Sequence, residues 1–285
     1  MPPCATTRDP SASTPVVPMR PFHQVDGFST QPLRGNPVAV VHDAEGLSTE
    51  QMQRFTRWTN LSEATFLLPP SDPTADYRVR IFTQVGELPF AGHPTLGTCH
   101  AWLEAGGQPR DPSRIVQECP AGLIPIRRID GMLAFGAPPV VRSGPVEARD
   151  LERIARVLGI GVGDIVESQW VDNGPGWVAV MLESAEAVLA LQPTGDDEHI
   201  DVGVVGFYPP GSAALYEVRA IFTNERKQVM EDPVTGSLNA SVAQWLVGSG
   251  RVTPPYTVSQ GLAMGRAGSP RISQDEHGQI WVGGA

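Results

Sequence analysis

Three side chains have the types and settings for proton chemistry: Glu63, His93 and Asp232. Two of them stand in loops that resemble each other. YRVRIFT (77–83) leads to HPTLGTCHA (93–101), and YEVRAIFT (216–223) leads to DPVTGSLNA (232–240). Tyr77 and Tyr216, Arg80 and Arg219, Pro94 and Pro233, Gly97 and Gly236, and Thr98 and Ser237 share an offset of 139 positions. One residue inserted near Ala220 is later removed. A Pro/Gly loop that opens a helix presents free backbone N–H groups and the positive end of the helix dipole. Gly97 and Gly236 let the chain approach a ligand, and Thr98 and Ser237 add hydroxyls. Two such openings facing one cleft suit a small anion, most simply a carboxylate. Beside a helix N-terminus the imidazolium is disfavoured, so His93 is expected neutral. Glu63, in NLSEATF, has Val202 as its repeat mate and stands outside the duplicated pattern. An unpaired carboxylate there is a candidate general base. The plain alternatives are ordinary N-cap turns and a surface glutamate. Matched placement in two halves favours a shared site.

The elements that must position these residues are many short strands and few helices. FHQVDGFS (22–29) and PVAVVHD (37–43) read as strands separated at GNP (35–37), and ATFLLP (64–69) and DYRVRIFT (76–83) as two more. Ser48 with Gln51 is a capping box for a helix to about Thr59. His93 to Ala105 reads as a helix ended by Gly106 and Gly107. SRIVQEC (113–119) and GLIPIRRI (122–129) read as a hairpin. In the second half, Val146 to Leu158 reads as an added helix. ESQWVDN (167–173) and GWVAVML (176–182) read as strands, and VAV (178–180) echoes VAV (38–40). A short helix (184–191), strands at 202–208 and 215–223, a helix from about Val234 to Val247, and three closing strands follow.

The two motif helices, LGTCHAWLEA and GSLNASVAQWLVG, are apolar on all sides and so buried. The expected fold class is α+β: two similar lobes, each a curved sheet wrapped around one central helix. Residues 1–19 read as a loose tail. Residues 20–130 form lobe 1, completed by a C-terminal strand at about 272–285, and 131–271 form lobe 2. The crossing falls near 131–141.

The 285 residues suit two domains. The formal net charge of −10 argues against sequence-independent nucleic-acid binding and against anionic membranes. No run of 18 apolar residues occurs, and the first residues lack the pattern of a signal peptide. Cys4, Cys99 and Cys119 form neither a disulfide framework nor a zinc pattern, which points to reduced thiols and a cytoplasmic setting. Cys99 is expected in the core. Glu87 and Glu231 flank the loop tips and are candidates to orient His93 and Asp232. His199 reads as solvated, and the six tryptophans read as mostly core or lobe-interface residues.

GNPVAVV, LSEATF, ELPFAGHPTLGT, EDPVTGS and QGLAMGR (260–266), in this order, resemble the phenazine-biosynthesis PhzF-like family of the diaminopimelate epimerase-like superfamily. The resemblance runs from about Pro21 to Ser273. It implies two lobes, each a β-barrel-like sheet around a central helix, with the active site between them. It also implies a cofactor-independent isomerase that shifts a proton on a cyclic dihydro-hydroxy-anthranilate, and a homodimer. By resemblance Glu63 is the general acid/base, Gly92 and His93 are the first-lobe contacts, and Asp232, Gly236 and Ser237 the second-lobe ones. Superfamily epimerases use paired cysteines at these tips. Here the tips hold Gly92–His93 and Asp232, which removes thiol-based racemisation. Gln84 stands where many members have proline, NERKQVM (224–230) is a charged form of a variable loop, and DNGPGW (172–177) fills a region where members of the family have substrate-facing residues, so the substrate is left open.

The expected activity is therefore proton transfer on a small cyclic or amino-acid-like carboxylic acid. The alternatives are a small-molecule-binding protein without turnover, and a lyase or hydrolase. The last lacks a GxSxG, HExxH or GxGxxG pattern. No metal or cofactor is expected.

Overall fold

The computed structural model describes residues 19–195, 199–224 and 227–285. The expected loose tail lies almost wholly outside them. The first half runs β1 (Phe22–Gly27), β2 (Asn36–Val41), α1 (Thr49–Thr59), β3 (Glu63–Leu68), β4 (Tyr77–Thr83), β5 (Glu87–Leu88) and α2 (Gly92–Glu104). Next come β6 (Ile115–Cys119), β7 (Gly122–Ile129) and β8 (Met132–Gly136). After β9 (Arg142–Gly144) and α3 (Ala148–Leu158) the order recurs as β10 (Glu167–Asp172), β11 (Val178–Met181), α4 (Ala185–Ala190), β12 (Asp201–Phe207), β13 (Tyr216–Thr223), β14 (Val229–Asp232) and α5 (Gly236–Gly248). The chain ends in β15 (Tyr256–Thr257), β16 (Ser259–Gln260), β17 (Arg271–Gln274) and β18 (Ile280–Gly284).

The duplication is one of topology as well as of letters. In each half an antiparallel pair, β1–β2 or β10–β11, leads through a helix to a parallel neighbour, β3 or β12. The next strand returns antiparallel, β4 or β13, and a short strand follows before the long helix. After that helix the chain rejoins in parallel, β6 on β4 and β16 on β13. The β6–β7 hairpin closes at Cys119↔Gly122, as its sequence suggested. One sheet has 11 strands along β1-β2-β3-β4-β6-β7-β8-β18-β17-β15 with β5 on β4. The other has seven along β14-β13-β12-β11-β10-β9 with β16 on β13. The expected crossing segment turns out to contain β8, because Leu133 and Phe135 are buried and pair with β18.

Ser48 closes α1 through the capping box with Gln51. α2 packs on β1, β2, β3 and β8, and α5 on β10 and β18. One apolar cluster runs through both, from Leu96 and Cys99 to Leu238, Val242 and Leu246. A second cluster, with Ile154, Leu158, Val180 and Val204, lies under α3 and α4 on the other face of the seven-stranded sheet. Trp177 and Trp281 are buried, but Trp58 lies 81% exposed, against the expectation of a core role.

Arg80 and Arg219, which share a place in the repeat, make the same contact. Arg80 grips Glu87 at 2.7 and 2.6 Å, and Arg219 grips Glu231 at 3.0 and 2.7 Å, each tying a short strand to its neighbour. Glu87 and Glu231 are thus committed to arginines and hydrogen-bond neither His93 nor Asp232, which corrects their expected orienting role. The second grip is deeper: Arg219 is 4% exposed and also donates to the Val188 and Leu191 carbonyls. Arg219→Ala is therefore expected to cost about 2 kcal/mol in denaturant unfolding, because it strands a partly buried carboxylate and two carbonyls. Arg80→Ala should cost less than about 1 kcal/mol, since both its partners keep contact with solvent.

Candidate active site

The two helix openings meet. α2 begins at Gly92 behind Ala91, and α5 begins at Gly236 behind Thr235. No side chain caps either one. Their first-turn N–H groups are therefore left for something else. A Cβ on Gly236 would lie 2.7 Å from Gly92 Cα and 3.0 Å from His93 N, and one on Gly92 would lie 2.8 Å from Gly236 Cα.

The openings correspond at an interval of 144 positions rather than 139. The stretch between strand and helix is longer in the second half, so the shared letters of HPTLGT and DPVTGS do not share places. Pro94 is inside the first turn of α2, whereas Pro233 precedes α5. Gly97 lies well inside α2, where a Cβ would come within 2.4 Å of Val38 Cγ1, so this glycine lets the helix lie on β2. Thr98 is fully buried and donates to Thr65 Oγ1 at 2.7 Å. Gly97 and Thr98, expected at an anion, thus serve packing. Gly92 and Gly236 are at the openings, as is Ser237. The Ser237 hydroxyl accepts from Trp177 Nε1 at 3.0 Å, and its carbonyl accepts from Asn173 Nδ2 at 2.9 Å. The 172–177 loop thereby holds the start of α5.

Glu63 is the first residue of β3, opposite Val38 on one side and Thr83 on the other. Val202 stands opposite Val178 in the second half, so the carboxylate is indeed outside the duplicated pattern. Glu63 Oε2 lies 3.4 Å from His93 Nε2, with side chains 15% and 3% exposed. Neither atom has a hydrogen-bond partner in an ordinary geometry. Asp232, at the end of β14, completes the cluster. Asn36 Nδ2 joins the halves: it donates to Asp232 Oδ1 and to the Val234 carbonyl, both at 3.0 Å, and lies 3.3 Å from His93 Nδ1.

Burial dominates the electrostatics. It raises Glu63 well above the ordinary carboxylate value, and the charge of Asp232 adds to this. Burial also pushes Asp232 up to about 6, against hydrogen bonds from Thr235 and Asn36 that favour its ionised form. His93 is driven down to about 3 by burial, with a hydrogen bond to the Pro37 backbone opposing. Its ring is neutral, as its place at a helix opening suggested. The ring presents Nδ1 to the Asn36 amide at 3.3 Å and Nε2 to Glu63 at 3.4 Å. A neutral imidazole thus stands beside a carboxyl whose protonated form burial favours.

Asn36 and Gln260 were not singled out from sequence. Their signals, GNP and QG, are too short to carry a role alone. Cys99 is buried and its thiol is pushed up to about 12 by burial, so it is no nucleophile. His199 is 71% exposed and pairs with Asp201 at 2.7 Å. Among the described residues no group of three His, Cys, Asp or Glu could hold a metal. No described helix is long and apolar enough to cross a membrane.

The family described as "Phenazine biosynthesis-like protein" matches residues 25–282. Trans-2,3-dihydro-3-hydroxyanthranilate isomerase of Pseudomonas aeruginosa is 36% identical over 257 residues, covering 87% of this chain and 88% of its own. "Antisense-enhancing sequence 1" of Schizosaccharomyces pombe is 35% identical over 289 residues, covering 92% and 94%. A Bacillus anthracis phenazine biosynthesis protein of the PhzF family superposes with a TM-score of 0.78 at 22% identity, over 93% of this chain and 95% of that one.

Proposed function

The chain belongs to the phenazine biosynthesis-like protein family, and from that premise we propose that it is a cofactor-independent isomerase moving a proton between two carbons of a small cyclic or amino-acid-like carboxylic acid. The observation that carries the reading is Glu63: a buried, protonatable carboxyl beside a neutral imidazole, next to two uncapped helix openings in contact. The N–H groups of Gly92, His93, Gly236 and Ser237 are suited to the substrate carboxylate, since the dipoles act locally even in an acidic protein. Asp232 supplies the fixed negative charge that keeps the proton on Glu63.

Glu63 rests in its acid form, 3.4 Å from His93 Nε2. It delivers that proton to one carbon of a conjugated system. The resulting carboxylate takes a proton from another carbon while the double bonds shift between them. Atoms and charge are unchanged at the end, and Glu63 is reset. Sequence reasoning alone suggested abstraction first; the high proton affinity of Glu63 favours donation first. His93 is too weak a base to keep the proton and serves to aim it. Positioning and a water-poor site provide most of the acceleration.

We extend the reading to a homodimer in the cytoplasm. Exposed Trp58 and half-exposed Phe22, both stacked near Phe55, support an interface, and the unpaired buried thiols support a reducing compartment. We place the lobe boundary after Gly136 rather than at 131, following the strand pairing of β8.

Incubation of candidate dihydro-hydroxy-anthranilates and cyclic amino acids in D₂O tests the activity. Deuterium entering at carbon without fragmentation is the expected outcome. New fragments would instead show a lyase or hydrolase, and binding without exchange a carrier. The rate should fall as pH drops through about 6, because Asp232 then takes up a proton and ceases to hold the second one on Glu63. A rate that is flat from pH 5 to 7 would remove Asp232 from the mechanism.

A further inference from the structure

Gln260, the last residue of β16, is fully buried, and its amide uses every hydrogen-bonding position it has. Oε1 accepts from Thr235 N at 3.0 Å and from Asn239 Nδ2 at 2.7 Å. Nε2 donates to Thr235 Oγ1 at 3.0 Å and to the Asp232 carbonyl at 3.2 Å. Turning the amide over would set donors against donors at Thr235 N and Asn239, so one orientation is allowed. The Thr235 hydroxyl therefore accepts a hydrogen bond from Gln260, which turns its own O–H toward Asp232 Oδ2, to which it donates at 2.6 Å. Asn36 covers the other carboxylate oxygen. Glu63 Oε2, in the same cluster, has no donor at all.

We propose that Gln260 is a positioning residue that acts through Thr235: it orients the Thr235 hydroxyl to donate a hydrogen bond to Asp232, favours that carboxyl as the ionised member of the pair, and so leaves the mobile proton on Glu63. The proposal rests on the isomerase reading for its meaning but not for its test. The ionisable groups around Asp232 are Glu63 on β3, His93 on α2 and Glu231 on its own strand. Glu231 is paired with Arg219 on β13 yet its charge still raises Asp232, and His93 is uncharged. The donors from Thr235 and Asn36 are thus what sets Asp232 apart from Glu63.

The test follows aspartate side-chain carboxyl carbons by carbon-13 NMR across pH, with Asp232 assigned by loss of its signal in Asp232→Asn. Removing the chain of donors should raise the Asp232 midpoint by about one pH unit in both Gln260→Leu and Thr235→Val, because a carboxylate loses a hydrogen bond to its charged form. Thr235→Ser, which keeps the hydroxyl, should titrate as the wild type does. In turnover assays the low-pH limb should move up with the same variants. A merely structural role would lower the melting temperature and leave the midpoint in place. Thr235→Val keeps shape and volume, so it serves if Gln260→Leu does not fold. A folded Thr235→Val with the wild-type midpoint overturns the proposal. Absence of any turnover in the wild type would sink the isomerase reading instead, and the NMR midpoints would still decide the role of Gln260.

Discussion

Glu63→Gln is expected to fold as the parent does and to lose about a thousandfold of its carbon-bound proton exchange. The size follows from the role: a single carboxyl both gives and collects the proton, and an amide does neither. The intact fold follows from the electrostatics. Burial favours the protonated form of Glu63, so a neutral amide of the same shape replaces a neutral acid. Stability supplies a second readout with a definite sign. The carboxyl is raised above its ordinary value of 4.5 in the folded chain, so the folded state holds that proton more tightly than the unfolded one. That contribution is complete below pH 4.5 and is lost as pH rises toward the folded value. The glutamine variant lacks the loss. Its melting temperature should match the parent near pH 4.5 and equal or exceed it at pH 8. Undiminished exchange in Glu63→Gln would falsify the assignment; a variant that melts far below the parent at every pH would show a structural role instead.

Gly236→Ala is expected to damage both stability and activity. The added Cβ would lie 2.7 Å from Gly92 Cα and 3.0 Å from both Gly92 C and His93 N, all backbone atoms with no rotamer to yield. Either the two helices separate or the strands carrying them shift. Overpacking of this kind costs about 3 kcal/mol. Because the contact lies at the openings, the same displacement moves His93 relative to Glu63, and activity should fall by about a hundredfold. Gly163→Ala is the control: its Cβ meets nothing within 4 Å, and it should be silent in both assays. Chemical denaturation and D₂O exchange on the two variants check the pair. A Gly236→Ala protein with parental stability and rate would mean that the helix openings do not form one site.

Much of this was legible in the chain before it was folded. The capping box at Ser48, the strand positions, the hairpin at 115–129 and the buried apolar helices follow from local chemistry. Caps, turns and periodicity act within a few residues, and so a linear reading can find them. The duplication and the placement of Glu63 outside it were readable for the same reason: repeats are a property of the string. The neutral state of His93 matches the reading from its place at a helix opening, but its cause in the structure is burial, which no local pattern shows.

Other features needed the third dimension. The letters HPTLGT and DPVTGS align at 139 positions, but the helices align at 144, because the turn between β13 and β14 is longer than that between β4 and β5 and identity of letters carries no information about where a helix starts. That moved Gly97 and Thr98 from the site into the packing and put Gly92 against Gly236. Glu87 and Glu231 were taken by arginines that lie adjacent only across strands. Asn36 and Gln260 reach Asp232 from 196 and 28 residues away. Sequence by itself determined which groups are available for proton transfer and that they come in two related halves. Only the tertiary structure decided which of the two carboxyls keeps the proton, because that depends on burial and on donors brought together from opposite ends of the chain.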